Sequence, residues 1–352
     1  MSFKTSDFKV ICSGLGYPEG PVALPDGSVL VCEISAGALS RITPDGQRTV
    51  VAQLGGSPNG AAIGPDGKVY VCNSGGFAFL YFRQDGSLVM PGSAPPPGAI
   101  CLTGDQPPTY TGGSIQRVDL ATGTFETLYT QCSAPDFPGA PTSTTHPLRG
   151  PDDLVFDEQG GFWFTDWGKS RPRERDIPGL YYAKADGSSI IEKVFPLNAP
   201  NGVALSPDGR RLYVAETYTR MVRFWELDGP GQIAKTGPAI DHSHVLTSQV
   251  HGVGILDSMK VDEDGNVYVV TMLDDGYVVR SNGGLTIISP EGERLEFIDL
   301  EVGEWFDPLP SNFCFGGPDR RTAFITLGGT GRLVSCQMRV PGLKPAYNVT
   351  TT

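Results

Sequence analysis

The chain is 352 residues long, 39% hydrophobic and 19% charged, with a formal net charge of −12. That acid excess, with no run of Lys and Arg, argues against a nucleic-acid partner, because holding a phosphate backbone needs clustered cations. Forty-six glycines and 30 prolines point to a turn-rich globular chain, and no uncharged apolar stretch approaches the length of a membrane span.

The opening residues, MSFKTSDFKV, carry no apolar signal core, so a cytoplasmic location is expected. The first strand-like run is FKVICSG (8–14). From Pro18 a phrase begins that then recurs: PEGPVALPDGSVLVCE from Pro18, PNGAAIGPDGKVYVCN from Pro58, PDDLVFDEQGGFWFTD from Pro151, PNGVALSPDGRRLYVAE from Pro200, LDSMKVDEDGNVYVVT from Leu256 and SNFCFGGPDRRTAFIT from Ser311. In each copy a polar second residue leads a short apolar run. Seven positions later stands a turn, at Asp26-Gly27, Asp66-Gly67, Gln159-Gly160, Asp208-Gly209, Asp264-Gly265 and Asp319-Arg320. Asp-Gly between apolar runs is a hairpin signal, since glycine supplies the positive φ of a tight strand reversal. Further strand-like runs follow most copies: LSRIT (39–43), SIQRVDL (114–120), GLYYAKA (179–185), MVRFWEL (221–227), LTIISP (285–290) and RLVSCQM (332–338). Helical periodicity over a dozen residues is absent.

Six such four-stranded units, spaced 40, 93, 49, 56 and 55 residues apart, predict an all-β six-bladed β-propeller spanning residues 1–352 as one domain. The sixth copy lacks a fourth strand, and FKVICSG is expected to supply it, closing the ring and setting Cys12 and Cys336 on neighbouring strands as free thiols. Seven cysteines without C-x-x-C spacing read as buried hydrophobes, not as a disulfide frame. The widest spacing holds Pro- and Gly-rich insertions near 78–113 and 131–150, expected as long loops and candidate lids over a channel mouth, not as a seventh blade.

The first strand of a propeller blade lines the central channel, so the second residue of each copy converges on the axis. Those residues are Glu19, Asn59, Asp152, Asn201, Asp257 and Asn312, all carboxylates or amides. Hard oxygen donors without Cys or His suit calcium or magnesium better than zinc or copper. A dication also relieves the repulsion of carboxylates packed in a partly buried channel.

PEGP at 18–21, PDDLVFD at 151–157, PNG at 200–202 and LDSMKVDEDGNVYV at 256–269 resemble hallmark segments of the gluconolactonase, senescence-marker-protein and luciferin-regenerating-enzyme-like family, in order from about Pro18 to Met338. The resemblance implies a six-bladed propeller holding one divalent metal, usually calcium (magnesium, manganese and zinc being the alternatives), and a lactonase activity. By motif it implies Glu19, Asn201 and Asp257 as metal ligands. Asp152 stands where the family typically has Asn, as a further ligand or a substrate contact. That departure gives three carboxylates in place of two. Asp257 is the expected catalytic carboxylate and Asp152 the reserve.

Asn59 and Asn312 are expected to orient substrate or a ligating water, or to be structural. Trp167 and Tyr218, each just past a second strand, are candidates to floor a substrate pocket, with Glu216 behind them, while Trp163, Tyr181 and Tyr182 read as core. His242 and His244 read as rim, and His251 as a candidate proton shuttle near the channel mouth; His146 would touch substrate if the insertion closes. The expected function is a metal-dependent hydrolase that opens a small lactone with a metal-activated water, its partner a small-molecule substrate. A phosphotriesterase of the diisopropyl fluorophosphatase type and a non-enzymatic interaction scaffold are the alternatives. Substrate identity and oligomeric state stay open.

Overall fold

The computed structural model describes residues 7–90, 94–132, 135–137, 139–140, 145–272, 282–302 and 307–349. Its strands form six antiparallel blades around one axis. The innermost strands are Pro18–Ala23, Pro58–Ile63, Pro151–Phe156, Pro200–Leu205, Ile255–Val261 and Pro310–Gly316, one from each repeat copy. Each packs beside the next, and the sixth packs beside the first, which closes the ring.

Outward from each inner strand run the second strand of the copy and then the runs that follow it. Blade 1, for example, adds Val29–Glu33, Ala38–Ile42 and Arg48–Gln53. The expected zip is present: Lys9–Ser13 pairs antiparallel with Arg332–Gln337 as the outermost strand of blade 6. Cys12 and Cys336 thus lie on paired strands, and all seven cysteines are buried and free. Every hairpin between first and second strands turns at the predicted position, with positive φ at Gly27, Gly67, Gly160, Gly209 and Gly265. In blade 6 Arg320 adopts the same conformation, at φ 55°, where the other copies have glycine.

Six apolar wedges hold the ring together, one at each blade boundary. Alternate residues of a second strand feed opposite wedges. Val29 and Val31 pack toward blade 6, whereas Leu30 and Cys32 pack toward blade 2. A strand covered on both faces must be apolar throughout, which is why these runs read SVLV and KVYV without polar alternation. Trp163 and Tyr182 fill the wedge between blades 3 and 4, and Tyr181 the one between blades 2 and 3, as expected of core residues.

The insertions are more ordered than the sequence suggests. Phe79–Phe82 pairs with Ile100–Thr103, and Gln131–Cys132 with His146–Pro147. The first hairpin leaves blade 2, packs with Tyr17, Ile34 and Trp167, and reaches Met272 and Leu309 of blades 5 and 6. It therefore crosses one mouth of the channel. The other mouth ends in a cavity of about 640 Å³ lined by inner-strand ends such as Ile63, Phe156, Leu205 and Phe315 and covered by the segment 343–348. Among the described residues no helix is long and apolar enough to cross a membrane.

Candidate functional site

The six residues that open the inner strands are all buried, between 1% and 7% exposed. They alternate around the ring: carboxylates in blades 1, 3 and 5 (Glu19, Asp152, Asp257) and amides in blades 2, 4 and 6 (Asn59, Asn201, Asn312). Each amide serves the carboxylate of the next blade. The Asn312 Nδ2 donates to Glu19 Oε2 at 2.8 Å, and the Asn59 Nδ2 to Asp152 Oδ2 at 3.1 Å. The Asn201 amide in turn hydrogen-bonds Asp257.

Close approach between blades makes this possible. A Cβ on Gly20 would collide with the Asn59 carbonyl, and one on Gly202 with the Ser258–Met259 backbone. The glycines of PEG and PNG are therefore required by the neighbouring blade. Just ahead of two site residues, Tyr17 and Ala199 sit at φ 53° and 50°. Left-handed backbone at non-glycine residues costs about 1–2 kcal/mol each, so the entry to the site is built against local preference.

Burial pushes the Glu19 carboxyl up to about 7, against the opposing hydrogen bonds from Asn312 and the Gly20 N–H. Asp152 and Asp257 are raised well above the usual carboxylate range, first by burial and then by the charge of Glu19, with Asp153 adding to Asp152 and Asp152 to Asp257. Three buried oxygens of the ring residues find no hydrogen-bond donor: Asn59 Oδ1, Asp152 Oδ1 and Asn201 Oδ1. Such orphans are rare in folded proteins and call for an external partner. With hard oxygens and no thiolate or imidazole in the ring, these atoms fit a hard divalent cation. Asn312 differs, for its Oδ1 accepts the Phe313 N–H at 2.8 Å and its amide is committed to Glu19.

Among the described residues no three of His, Cys, Asp and Glu group as a metal-holding set. The physical reason is the alternation, which sets an amide between each pair of carboxylates and dilutes their repulsion. Beneath the ring, Lys260 Nζ pairs with Asp153 Oδ2 at 3.1 Å, a partly buried link between blades 5 and 3 that floors the site.

Trp167 and Tyr218 lie at the mouth above this floor, as wall and rim. The Trp167 N–H donates to Gly150 O at 2.8 Å, two residues before Asp152, and its indole N–H donates to Thr217 Oγ1 at 3.2 Å. Thr217 donates to Ala199 O and accepts from Leu256 N, the neighbours of Pro200-Asn201 and of Asp257. His251 is elsewhere. Its ring stacks on Phe297 of the outermost strand of blade 5 with centroids 3.7 Å apart, so it is not brought together with the ring residues. His244 stacks on Phe224 at the outer side of blade 4, and His146 meets Tyr181 and Glu192 between blades 2 and 3.

A set of bracing residues, of which the sequence reading singled out only Glu216, supports the ring. The last residue of the second strand accepts backbone N–H groups from the segment leading into the same blade's inner strand. Glu33 accepts from Gly16, Asn73 from Ser57, Asp166 from Arg149 and Gly150, and Glu216 from Asn198. In blade 6 Thr326 Oγ1 accepts directly from the Asn312 N–H. The signal was available: the final letters of the six aligned phrases are E, N, D, E, T and T. Lys169, also unread, is fully buried beside the site, with its Nζ donating to Gly76 O at 2.9 Å. Burial lowers its pKa to about 7, opposed by Asp166 and Asp152.

With the geometry in place, comparison with known proteins is informative. Residues 17–329 match the model of the SMP-30/Gluconolactonase/LRE-like region. The chain belongs to this family. The family's gluconolactonase of Zymomonas mobilis is 26% identical over 92% of this chain and 79% of its own length. Two solved structures share the fold. A gluconolactonase from Xanthomonas campestris superposes with a TM-score of 0.64 at 18% identity, covering 95% of this chain and 89% of that one. A calcium-binding protein, regucalcin, from Agrobacterium tumefaciens gives a TM-score of 0.63 at 15% identity, covering 97% and 99%.

Proposed function

We propose that this chain is a metal-dependent lactonase whose site is the alternating ring of carboxylates and amides. The observation that carries the reading is the set of three buried oxygens without donors, on Asn59, Asp152 and Asn201, in a ring whose carboxylates are all pushed toward protonation. Family membership and the gluconolactonase relative support hydrolysis of a cyclic ester. The solved relative described as calcium-binding supports calcium.

Glu19, Asn201, Asp257 and Asp152 would hold the cation. When bound, a divalent cation supplies Lewis-acid polarisation of an ester carbonyl and a lowered pKa for water. Asp257 takes the proton from the attacking water, its carboxylate oriented by the hydrogen bond of the Asn201 amide. Asn312 fixes Glu19, and Asn59 fixes Asp152, so both amides act on carboxylate orientation first. Trp167 and Tyr218 give the substrate an aromatic wall, and Asp153 with Lys260 closes the floor. The buried free thiols fit a reducing, cytoplasmic setting.

Metal analysis of the purified protein, joined to titration of acid release from a lactone panel before and after chelation, tests this. The expected result is about one divalent ion per chain and turnover that vanishes on chelation and returns with calcium. Full lactone turnover by metal-free protein would sink the reading, and turnover confined to organophosphates would move it to phosphotriester hydrolysis.

A further inference from the structure

We infer that Arg175 is an anion subsite at the mouth, selecting lactones that carry a carboxylate substituent; this rests on the lactonase reading above. Arg175 lies on a short hairpin of blade 3, Ser170–Arg171 paired with Glu174–Arg175. Its guanidinium lies 3.8 Å over the Trp167 ring and 4.7 Å over the Tyr218 ring. Nη2 donates to Trp167 O at 2.7 Å and Nη1 to Ser170 Oγ at 3.0 Å. Trp167 in turn is tied to Gly150 and Thr217, whose neighbours are Asp152, Asn201 and Asp257. The cation is thus mounted directly beside the ring.

Arg175 is held in place without a carboxylate partner. Arg171 on the same hairpin pairs with Asp176 at 3.0 Å, and Arg223 of blade 4 pairs with Asp241 at 2.6 Å. Arg175 forms no ion pair among the described residues. A guanidinium has five N–H donors, and its bonds to Trp167 and Ser170 leave part of the fork open. Stacking fixes its plane and lowers the entropy lost when an anion docks.

The charge of the mouth narrows the ligand class. An anionic group placed in the ring would meet Glu19, Asp152 and Asp257, so a charged substituent must stay at the rim while the ester enters. Lys169 offers no charge there, for it is fully buried and committed to Gly76 and the face of Phe77. One planar fork matches a single carboxylate better than a doubly charged phosphate.

Steady-state kinetics on γ-carboxy-γ-butyrolactone and on its neutral carboxamide test the subsite. The expected result for Arg175→Gln is a fall of about 10- to 100-fold in the ratio of kcat/KM for the carboxylate over the carboxamide, carried by KM. Arg175→Lys, which keeps the charge without the stacked fork, recovers part of that ratio. An equal fall on both substrates, or a lowered melting temperature with an unchanged ratio, makes the residue structural and overturns the subsite. Should the native protein open neither lactone, the lactonase reading fails on its own. Calorimetric binding of the open-chain dicarboxylate to native and Arg175→Gln protein then still reads the subsite, and equal affinities would overturn it.

Discussion

Over about 13 Å, the rise of four strand residues, five of the six inner strands pass from oxygen chemistry to hydrocarbon. Glu19 leads to Ala23, Asn59 to Ile63, Asp152 to Phe156, Asn201 to Leu205 and Asp257 to Val261. The upper mouth gathers buried carboxylates, donor-less oxygens and two non-glycine residues in left-handed backbone. The lower mouth opens into a cavity whose lining mixes apolar strand ends with charged residues such as Asp157, Asp208 and Lys260, and over which the segment 343–348 lies, with Tyr347 edge-on to Phe156 at 5.7 Å. The same six strands therefore carry two jobs at opposite ends. The cavity marks the end where packing was left loose, while the chemistry sits where polar groups were left unsatisfied.

The comparison breaks most sharply at Asp257. Asp257→Asn should lower kcat by about 10²- to 10⁴-fold with an unchanged circular dichroism spectrum; retention of full lactone turnover would leave the upper mouth without its base. Phe156→Ala at the lower mouth should do the reverse, losing about 3–5 kcal/mol in denaturant unfolding with kcat intact. A change in kcat there would mean that the two mouths are coupled.

Chelation sharpens the contrast through pH. Glu19 is held at about 7 against an ordinary value of 4.5, so between those values the ion-free folded state binds more protons than the unfolded chain. Its contribution to stability is present below about 4.5 and is lost as pH rises through 7. Melting temperatures of chelated protein should fall across that window, and calcium should flatten the slope. A profile that chelation does not move would separate the ring from any ion. The smallest effect belongs to Tyr347→Ala, about 0.5–1.5 kcal/mol from the lost edge-to-face contact, read by thermal melting with kcat unchanged.

Much of this was legible. The fixed offset from Glu19 to Asp26 and its five counterparts gave the hairpins, and the missing last strand pointed to residues 8–14. His251 misled because six residues of separation along the chain from Asp257 say nothing about direction: the Gly252–Gly254 stretch lets the chain turn, and the ring lands on Phe297 at the blade's outer edge. Arg175 was silent for a similar reason, since its position depends on a two-residue hairpin and on a tryptophan tied to blade 4.

Sequence alone determined the number of blades, the closing strand and the oxygen-bearing residue at each inner strand, because a repeat imposes one local structure on every copy. Which amide serves which carboxylate, which oxygens are left without donors, and which cation stands at the mouth were decided by tertiary structure. Those relations run between blades, and contacts across a boundary are set by the packing of the ring, not by the order of residues within a copy.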